Sequence, residues 1–364
     1  MAKAKSKTKI KLRKSKTSKK PFLHIGGNDI GFGKTVSLTL PVSDLYTDSP
    51  VELPVRVITG KKPGPILFIT GAVHGDEIIG VEIVRRLLQS GKVDKLNKGA
   101  LILVPIVNLF GFILNSRYLP DRRDLNRSFP GTAGGSLASR VAYILMSEIV
   151  KKSTHGIDIH SGSFYRENLP QIRADTECTE TMAMAEAFGA SIVINSDVRD
   201  GSLREAAQRK GVKMLVFEAG EALRFDETSA AMGLNGILGV MEHLGMIKAD
   251  IVREPDDIAH SKNAVWVRAP RGGILWDRAS LGAEVKAGDI LGYVSDPFGD
   301  DPIPILAPEN GILVGRSNLP TANEGDGLFH IATFKNLPSK EEIKKDAAAI
   351  VPESQENALA VPDH

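Results

Sequence analysis

A chain of 364 residues with 42% apolar and 25% charged residues can bury a large core, and it is long for one domain but ordinary for two. It holds no run of 18 apolar residues, which excludes a membrane-spanning helix, and its single cysteine, Cys178, cannot close an internal disulfide, so a reducing compartment, the cytoplasm, is expected. The formal net charge of +2 hides an asymmetry: residues 1–20 carry nine Lys and Arg13 with no acid, and setting that +10 aside leaves −8 on residues 21–364, which argues against a specific nucleic-acid role for the folded body.

Residues 1–20 lack the apolar stretch of a secretory signal and read as a disordered basic tail. Gly31-Phe32-Gly33-Lys34-Thr35 imitates the end of a phosphate-binding loop, but the first glycine of that motif would fall on Asn28, so nucleotide binding is not expected. From Val51 to about Leu244 short β-rich runs alternate with helical patterns, the signature of an α/β sheet. Strands are expected at Ile66–Thr70, Leu101–Pro105, Gly156–Ile159, Ser191–Ile194 and Lys213–Phe217. Helices are expected from Ile79 to Gly91 and at Leu137–Val150, Thr181–Phe188, Leu203–Lys210 and Ile237–Leu244.

The α/β domain is thus placed at residues 21–247, followed by a charged linker at 248–263. Gly and Pro then rise and helical periodicity vanishes, which predicts a small β domain at 264–336. Ala269-Pro270-Arg271-Gly272-Gly273-Ile274-Leu275 recurs as Ala307-Pro308-Glu309-Asn310-Gly311-Ile312-Leu313, and Gly288-Asp289 recurs as Gly325-Asp326. Two such copies predict two β-hairpin units packed about a pseudo-twofold axis. The pattern resembles the barrel-sandwich fold of biotinyl and lipoyl domains, but no lysine occupies a carrier-type hairpin tip, so a lid or structural role is expected. Residues 337–364 read as a second disordered tail.

The chemistry collects at predicted strand ends. After Ile66–Thr70 the chain runs Gly71-Ala72-Val73-His74-Gly75-Asp76-Glu77, placing an imidazole and a carboxylate three residues apart at the open edge of a sheet. Nitrogen plus carboxylate oxygen suits zinc, and a catalytic zinc takes a third protein ligand with one position left open. His160, which ends Ile157-Asp158-Ile159-His160, sits best to supply it. A polar loop holds Arg117, Arg122, Arg123, Asp124, Asn126 and Arg127; Asn126 with Arg127 could grip a substrate carboxylate, while Arg117 could face developing charge. Arg122 and Arg123 read as solvated surface. Met214-Leu215-Val216-Phe217-Glu218 delivers a carboxylate to a strand end, where Glu218 could take a proton from water; Glu221 reads as a loop or helix-start residue.

With His74-Gly75-Asp76-Glu77, Asp124-Leu125-Asn126-Arg127, Asp158-Ile159-His160 and Glu218-Ala219-Gly220 in this order, the chain resembles the succinylglutamate desuccinylase and aspartoacylase family, a branch of the zinc carboxypeptidase superfamily, over roughly residues 50–335. The resemblance implies a zinc-carboxypeptidase-like mixed sheet flanked by helices, with the small C-terminal all-β barrel-sandwich domain packed over the active site. It implies one Zn2+ held by His74, Glu77 and His160, with Asp124 orienting the first histidine. It further implies substrate-carboxylate binding by Asn126 and Arg127, oxyanion support from Arg117 and catalysis by Glu218.

The expected activity is zinc-dependent hydrolysis of the acyl-amide bond of a small N-acylated amino acid or related amine bearing a carboxylate. A carboxypeptidase-like peptidase using the same residues is the alternative, and an inactive binding protein whose basic tail recruits an anionic partner is the third reading. A homo-oligomer is left open.

Overall fold

The computed structural model describes residues 21–196, 198–248 and 258–334. Both expected tails and residues 249–257 of the expected linker lie outside the described residues. Strands β1 (Leu23–Ile25) and β2 (Asn28–Ile30) pair in a hairpin ahead of the long β3 (Thr35–Asp44) and β4 (Pro50–Thr59). Then follow β5 (Ile66–Thr70), α1 (Ile79–Gln89), β6 (Ala100–Val104), α2 (Leu109–Ile113), α3 (Leu137–Glu148), β7 (His155–Gly162), β8 (Arg166–Ala174), α4 (Thr179–Phe188), β9 (Ile192–Asn195), α5 (Leu203–Gln208), β10 (Lys213–Glu221) and α6 (Glu227–His243). The C-terminal region is all strand: β11 (Ala259–Ser261), β12 (Asn263–Arg268), β13 (Gly273–Asp277), β14 (Glu284–Val285), β15 (Ile290–Ser295), β16 (Ile303–Leu306), β17 (Gly311–Ser317), β18 (Thr321–Ala322) and β19 (Gly327–Thr333).

The expected mixed α/β sheet is present, and at its centre β6, β5, β7 and β10 run parallel, with antiparallel β4 and β3 beyond β6. Central parallel strands are covered on both faces, so they read as unbroken apolar runs, and β6 is buried along its whole length. One apolar layer, with Ile83, Leu87 and Phe217, lies beneath α1, α4 and α6; another, with Phe68, Val141 and Leu145, lies beneath α3. None of the helices among the described residues is long and apolar enough to cross a membrane.

Several elements differ from expectation for physical reasons. Helix α6 begins at Glu227, ten residues before the predicted start, because Gly233 and Gly236 mask its helical pattern. A β-carbon at Gly233 would stand 2.5 Å from Ile83 Cδ1, and one at Gly236 would stand 2.3 Å from the Phe188 ring, so the glycines permit close packing of α6. Strand β8 was not expected, since Arg166, Glu167 and Asn168 make its start read as loop. Strand β11 lies inside the expected linker and pairs with β9, with Ala259 and Ser261 buried on one face. Strand β10 continues past Phe217 to Glu221, so Glu218 sits within the strand and not at its end, just before a register shift.

The repeat organises the C-terminal region reciprocally. Copy-one strand β13 pairs with β18, and copy-two strand β17 pairs with β14. Gly288 donates to the Ala307 carbonyl and Ala307 to that of Asp289; likewise Gly325 donates to Ala269 and Ala269 to Asp326. Both turn glycines take left-handed φ values, +90° and +84°. Strands β16, β15, β13 and β18 form a separate sheet, but β17, β19 and β12 extend the large one, because β17 pairs with β8 through Gly315–Asn168, Arg316–Glu167 and Ser317–Arg166. The β region is therefore hydrogen-bonded to the strand beside the central parallel set.

Phe217 is fully buried, with its ring 4.9 Å from that of Phe188. Phe217→Ala should cost about 3–5 kcal/mol of unfolding free energy, read by denaturant titration; a loss below about 1 kcal/mol would contradict tight packing beneath α4 and α6.

Candidate metal and hydrolytic site

The loop after β5 is pinned where it must turn. Asn108 N donates to Ala72 O, and Ala72 takes a left-handed φ of +47° in a fully buried position. Gly75 passes so close to α2 that a β-carbon would meet the Gly111 carbonyl carbon at 2.0 Å. These contacts fix His74 and Glu77 at the C-terminal end of β5, while His160 comes from neighbouring β7.

His74, Glu77 and His160 are brought together, all buried, with one ligand-capable atom from each within 4.8 Å of the others. His74 Nδ1 lies 2.8 Å from Glu77 Oε1, and His160 Nδ1 lies 2.6 Å from Glu77 Oε2. The outer nitrogens are held by carboxylates: His74 Nε2 is 3.1 Å from Asp124 Oδ1, and His160 Nε2 is 2.8 Å from Asp158 Oδ2. Both imidazoles therefore turn Nδ1 toward the shared centre, with tautomers set from behind. Ligands about 2.1 Å from a tetrahedral zinc stand about 3.4 Å apart, so this nitrogen and oxygen set fits one such ion.

The electrostatics favour a cation here. Burial works against charge on Glu77, but the two imidazoles outweigh it and hold the carboxyl well below its ordinary range. Burial would lower both histidines, yet Glu77 and Asp124 raise His74, and Asp158 and Glu77 raise His160. Asp124 is held low against its own burial by His74 and Arg117.

Arg117 joins this group directly. Its guanidinium donates to Glu77 Oε1 at 3.1 Å, to Ser163 Oγ at 2.9 Å and to Asp124 Oδ2 at 2.9 Å, and Ser163 Oγ donates in turn to Glu77. Asp124 also caps the short 3-10 turn Leu125–Arg127. Asn126 Oδ1 accepts from Leu203 N at 2.8 Å, so the amide presents its nitrogen elsewhere, and Arg127 lines the same cleft. Arg122 and Arg123 are exposed. Glu218 stands in register beside His160 on the adjacent parallel strand; its carboxylate accepts from Asn168 Nδ2 at 2.9 Å and lies 3.5 Å from Arg173 Nε. Glu221, in β10 and not in a loop, pairs with Arg224 at 3.3 Å.

Of the candidate site side chains, all but Glu221, Arg122 and Arg123 line one cleft of about 1020 Å³. Among the described residues its lining holds eight cations, Arg117, Arg127, Arg166, Arg173, Arg199, Arg204, Lys262 and Arg268, against four carboxylates, Glu77, Asp124, Asp158 and Glu218. Such a cleft attracts a small anion. Sequence reasoning missed Asp158, Ser163, Asn168 and Arg173. For Asp158 a signal existed, since strand alternation puts residues 158 and 160 on one face; Asn168 and Arg173 belong to β8, whose charged start conceals the strand.

Comparison with known proteins agrees with this geometry. The catalytic-domain profile of succinylglutamate desuccinylase/aspartoacylase matches residues 63–244. The N-alpha-acetyl-L-2,4-diaminobutyric acid deacetylase of Halomonas elongata is 28% identical over 310 residues, covering 81% of this chain and 90% of the relative. A succinylglutamate desuccinylase/aspartoacylase structure from Rhodobacter sphaeroides superposes with TM-score 0.75 at 25% identity, covering 85% of this chain and 98% of that one. The product-bound ectoine utilization protein EutE (DoeB) of Ruegeria pomeroyi superposes with TM-score 0.75 at 25% identity, covering 83% and 95%. The chain belongs to the succinylglutamate desuccinylase/aspartoacylase family of deacylases.

Proposed function

We propose that the protein is a zinc-dependent hydrolase that cleaves the acyl-amide bond of a small N-acylated amino acid, releasing a carboxylate and a free amine. The observation that carries this reading is the buried His74–Glu77–His160 cluster with Glu218 in register beside it and a cationic cleft around it. The deacetylase relative, whose name gives an N-acetylated amino acid as its substrate, supports the substrate class.

His74 and His160, through Nδ1, and Glu77 would hold the zinc, with Asp124 and Asp158 orienting the two imidazoles. When bound, zinc supplies Lewis acidity, polarising a carbonyl and lowering the pKa of water toward 7. The remaining chemistry falls to this chain's side chains. Asn126, whose amide oxygen is taken by Leu203, donates through its nitrogen to the substrate carboxylate, and Arg127 grips the same group. Arg117, fixed by Asp124 and Glu77, faces the oxygen on which charge grows as water attacks the carbonyl. Glu218 takes a proton from that water and returns it to the departing nitrogen; Asn168 and Arg173 hold its carboxylate in place. The contribution of Trp266, Arg268 and His330 from the β region to the cleft wall favours small N-acyl amino acids over peptides.

Glu218→Gln should keep full zinc occupancy yet lose about 10²–10⁴-fold in kcat on the best of a panel of N-acetyl and N-succinyl amino acids; near-normal turnover would remove Glu218 from the mechanism. His160→Ala should fall well below one zinc per chain by elemental analysis, and full occupancy would rule out the three-ligand set. Arg127→Ala should raise KM about 10–100-fold for carboxylate-bearing substrates, and an unchanged KM would place the carboxylate elsewhere. A wild-type preference for short peptides over the whole panel would favour the peptidase alternative.

A further inference from the structure

The extension of the large sheet into the C-terminal region sets a row of paired residues across four strands. Trp266 on β12 is the register partner of His330 on β19, His330 of Gly315 on β17, and Gly315 of Asn168 on β8. Paired residues on adjacent strands share a face of the sheet. At the inner end of the row, Asn168 donates to Glu218. Gly315 keeps the row compact: a β-carbon there would stand 3.0 Å from Asn168 Oδ1 and 3.2 Å from His330 Cβ.

His330 is anomalous within this row. Only 3% of it is exposed, its Nδ1 is buried without a hydrogen-bond partner, and it lines the cleft. Its ring lies flat on the Trp266 indole, centroids 4.6 Å apart and planes 9° apart, and the Arg166 guanidinium lies 5.1 Å from the Trp266 ring. Leaving a buried ring nitrogen unpaired costs free energy that stacking does not recover. Burial, with Arg173 and Arg199 nearby, pushes the imidazole down to about 3, so the ring is neutral and offers one N–H and one lone pair. Among eight cations it is an uncharged hydrogen-bonding group.

We infer that His330 is a specificity-determining residue: with Trp266 it forms an uncharged wall of the substrate cleft, and its imidazole gives the N-acyl amino acid a hydrogen bond. This rests on the substrate class proposed above and extends it, because it assigns a hydrogen bond to the substrate to one imidazole of the C-terminal β region. His330 acts on binding, not on proton transfer.

The test uses the full chain carrying Trp276→Phe, which leaves Trp266 as its single tryptophan and so makes indole fluorescence a local reporter. N-acetyl and N-succinyl amino acids are titrated into this protein, and Kd, KM, kcat and bound zinc are measured with and without His330→Phe. Phe keeps the stack on Trp266 and removes both ring nitrogens. The expected result is a fluorescence response in the parent, with Kd and KM raised about tenfold in His330→Phe, kcat and zinc content nearly unchanged, and His330→Gln recovering part of the affinity. His330→Leu takes the place of the Phe variant should that protein not fold. Kd within twofold of the parent overturns the inference, as does the absence of any response at Trp266 across the panel. Binding that weakens as expected in a protein that hydrolyses none of the panel would overturn the deacylase reading and leave the assignment of His330 standing.

Discussion

A single buried carboxylate organises this molecule. Glu77 is shared by two imidazoles that approach it through Nδ1, and each imidazole is backed by an acid at Nε2, so Asp124, His74, Glu77, His160 and Asp158 form one continuous chain of contacts. Buried charges persist when paired and hydrogen-bonded, and each member here is stabilised by its neighbours. The members come from three places, the loop after β5, the turn after Arg123 and strand β7, so the chain of contacts fixes those segments relative to one another. Thr70 Oγ1 donates to Asp158 at 2.7 Å, which ties the far end of the chain back to β5.

That arrangement depends on the parallel centre of the sheet. Strands β5, β7 and β10 lie side by side and parallel, so the loop after β5 brings His74 beside His160 of β7 and Glu218 of β10, near the edge where open α/β sheets bind ligands. Strand β8 then has a double role. It supplies Asn168 and Arg173 to Glu218, and its other edge receives β17, which carries the C-terminal β region to the cleft. The repeat that builds this region buries its own small core around Leu291, Val294, Leu313 and Phe329. Its outer sheet leaves Trp276 exposed, as the loop between β15 and β16 leaves Phe298, while inner strands β12 and β19 line the cleft.

The central part of the site was legible in the sequence because each of its residues ends or interrupts an apolar run. His74 and Glu77 follow Ile66–Thr70, His160 follows Ile157-Asp158-Ile159, and Glu218 follows Met214–Phe217, so burial pattern and chemistry coincide. What stayed hidden depends on contacts distant in sequence. Strand β8 opens with Arg166, Glu167 and Asn168, whose polarity signals a loop although β10 and β17 pair with them. His330 lies 162 residues beyond Asn168, and no local pattern at Phe329-His330-Ile331 announces that β19 reaches the cleft. The fold class was legible from alternation of β and helical runs, whereas the start of α6 was obscured by Gly233 and Gly236, which serve packing at the expense of helix propensity.

The coordination sphere of zinc added to the protein provides the most direct test of the proposed site. X-ray absorption at the zinc edge of zinc-loaded protein should show two imidazole rings and oxygen ligands at about 2.0–2.2 Å with no sulfur. A single imidazole, or a thiolate at about 2.3 Å, would contradict the central claim that His74, Glu77 and His160 together hold the ion.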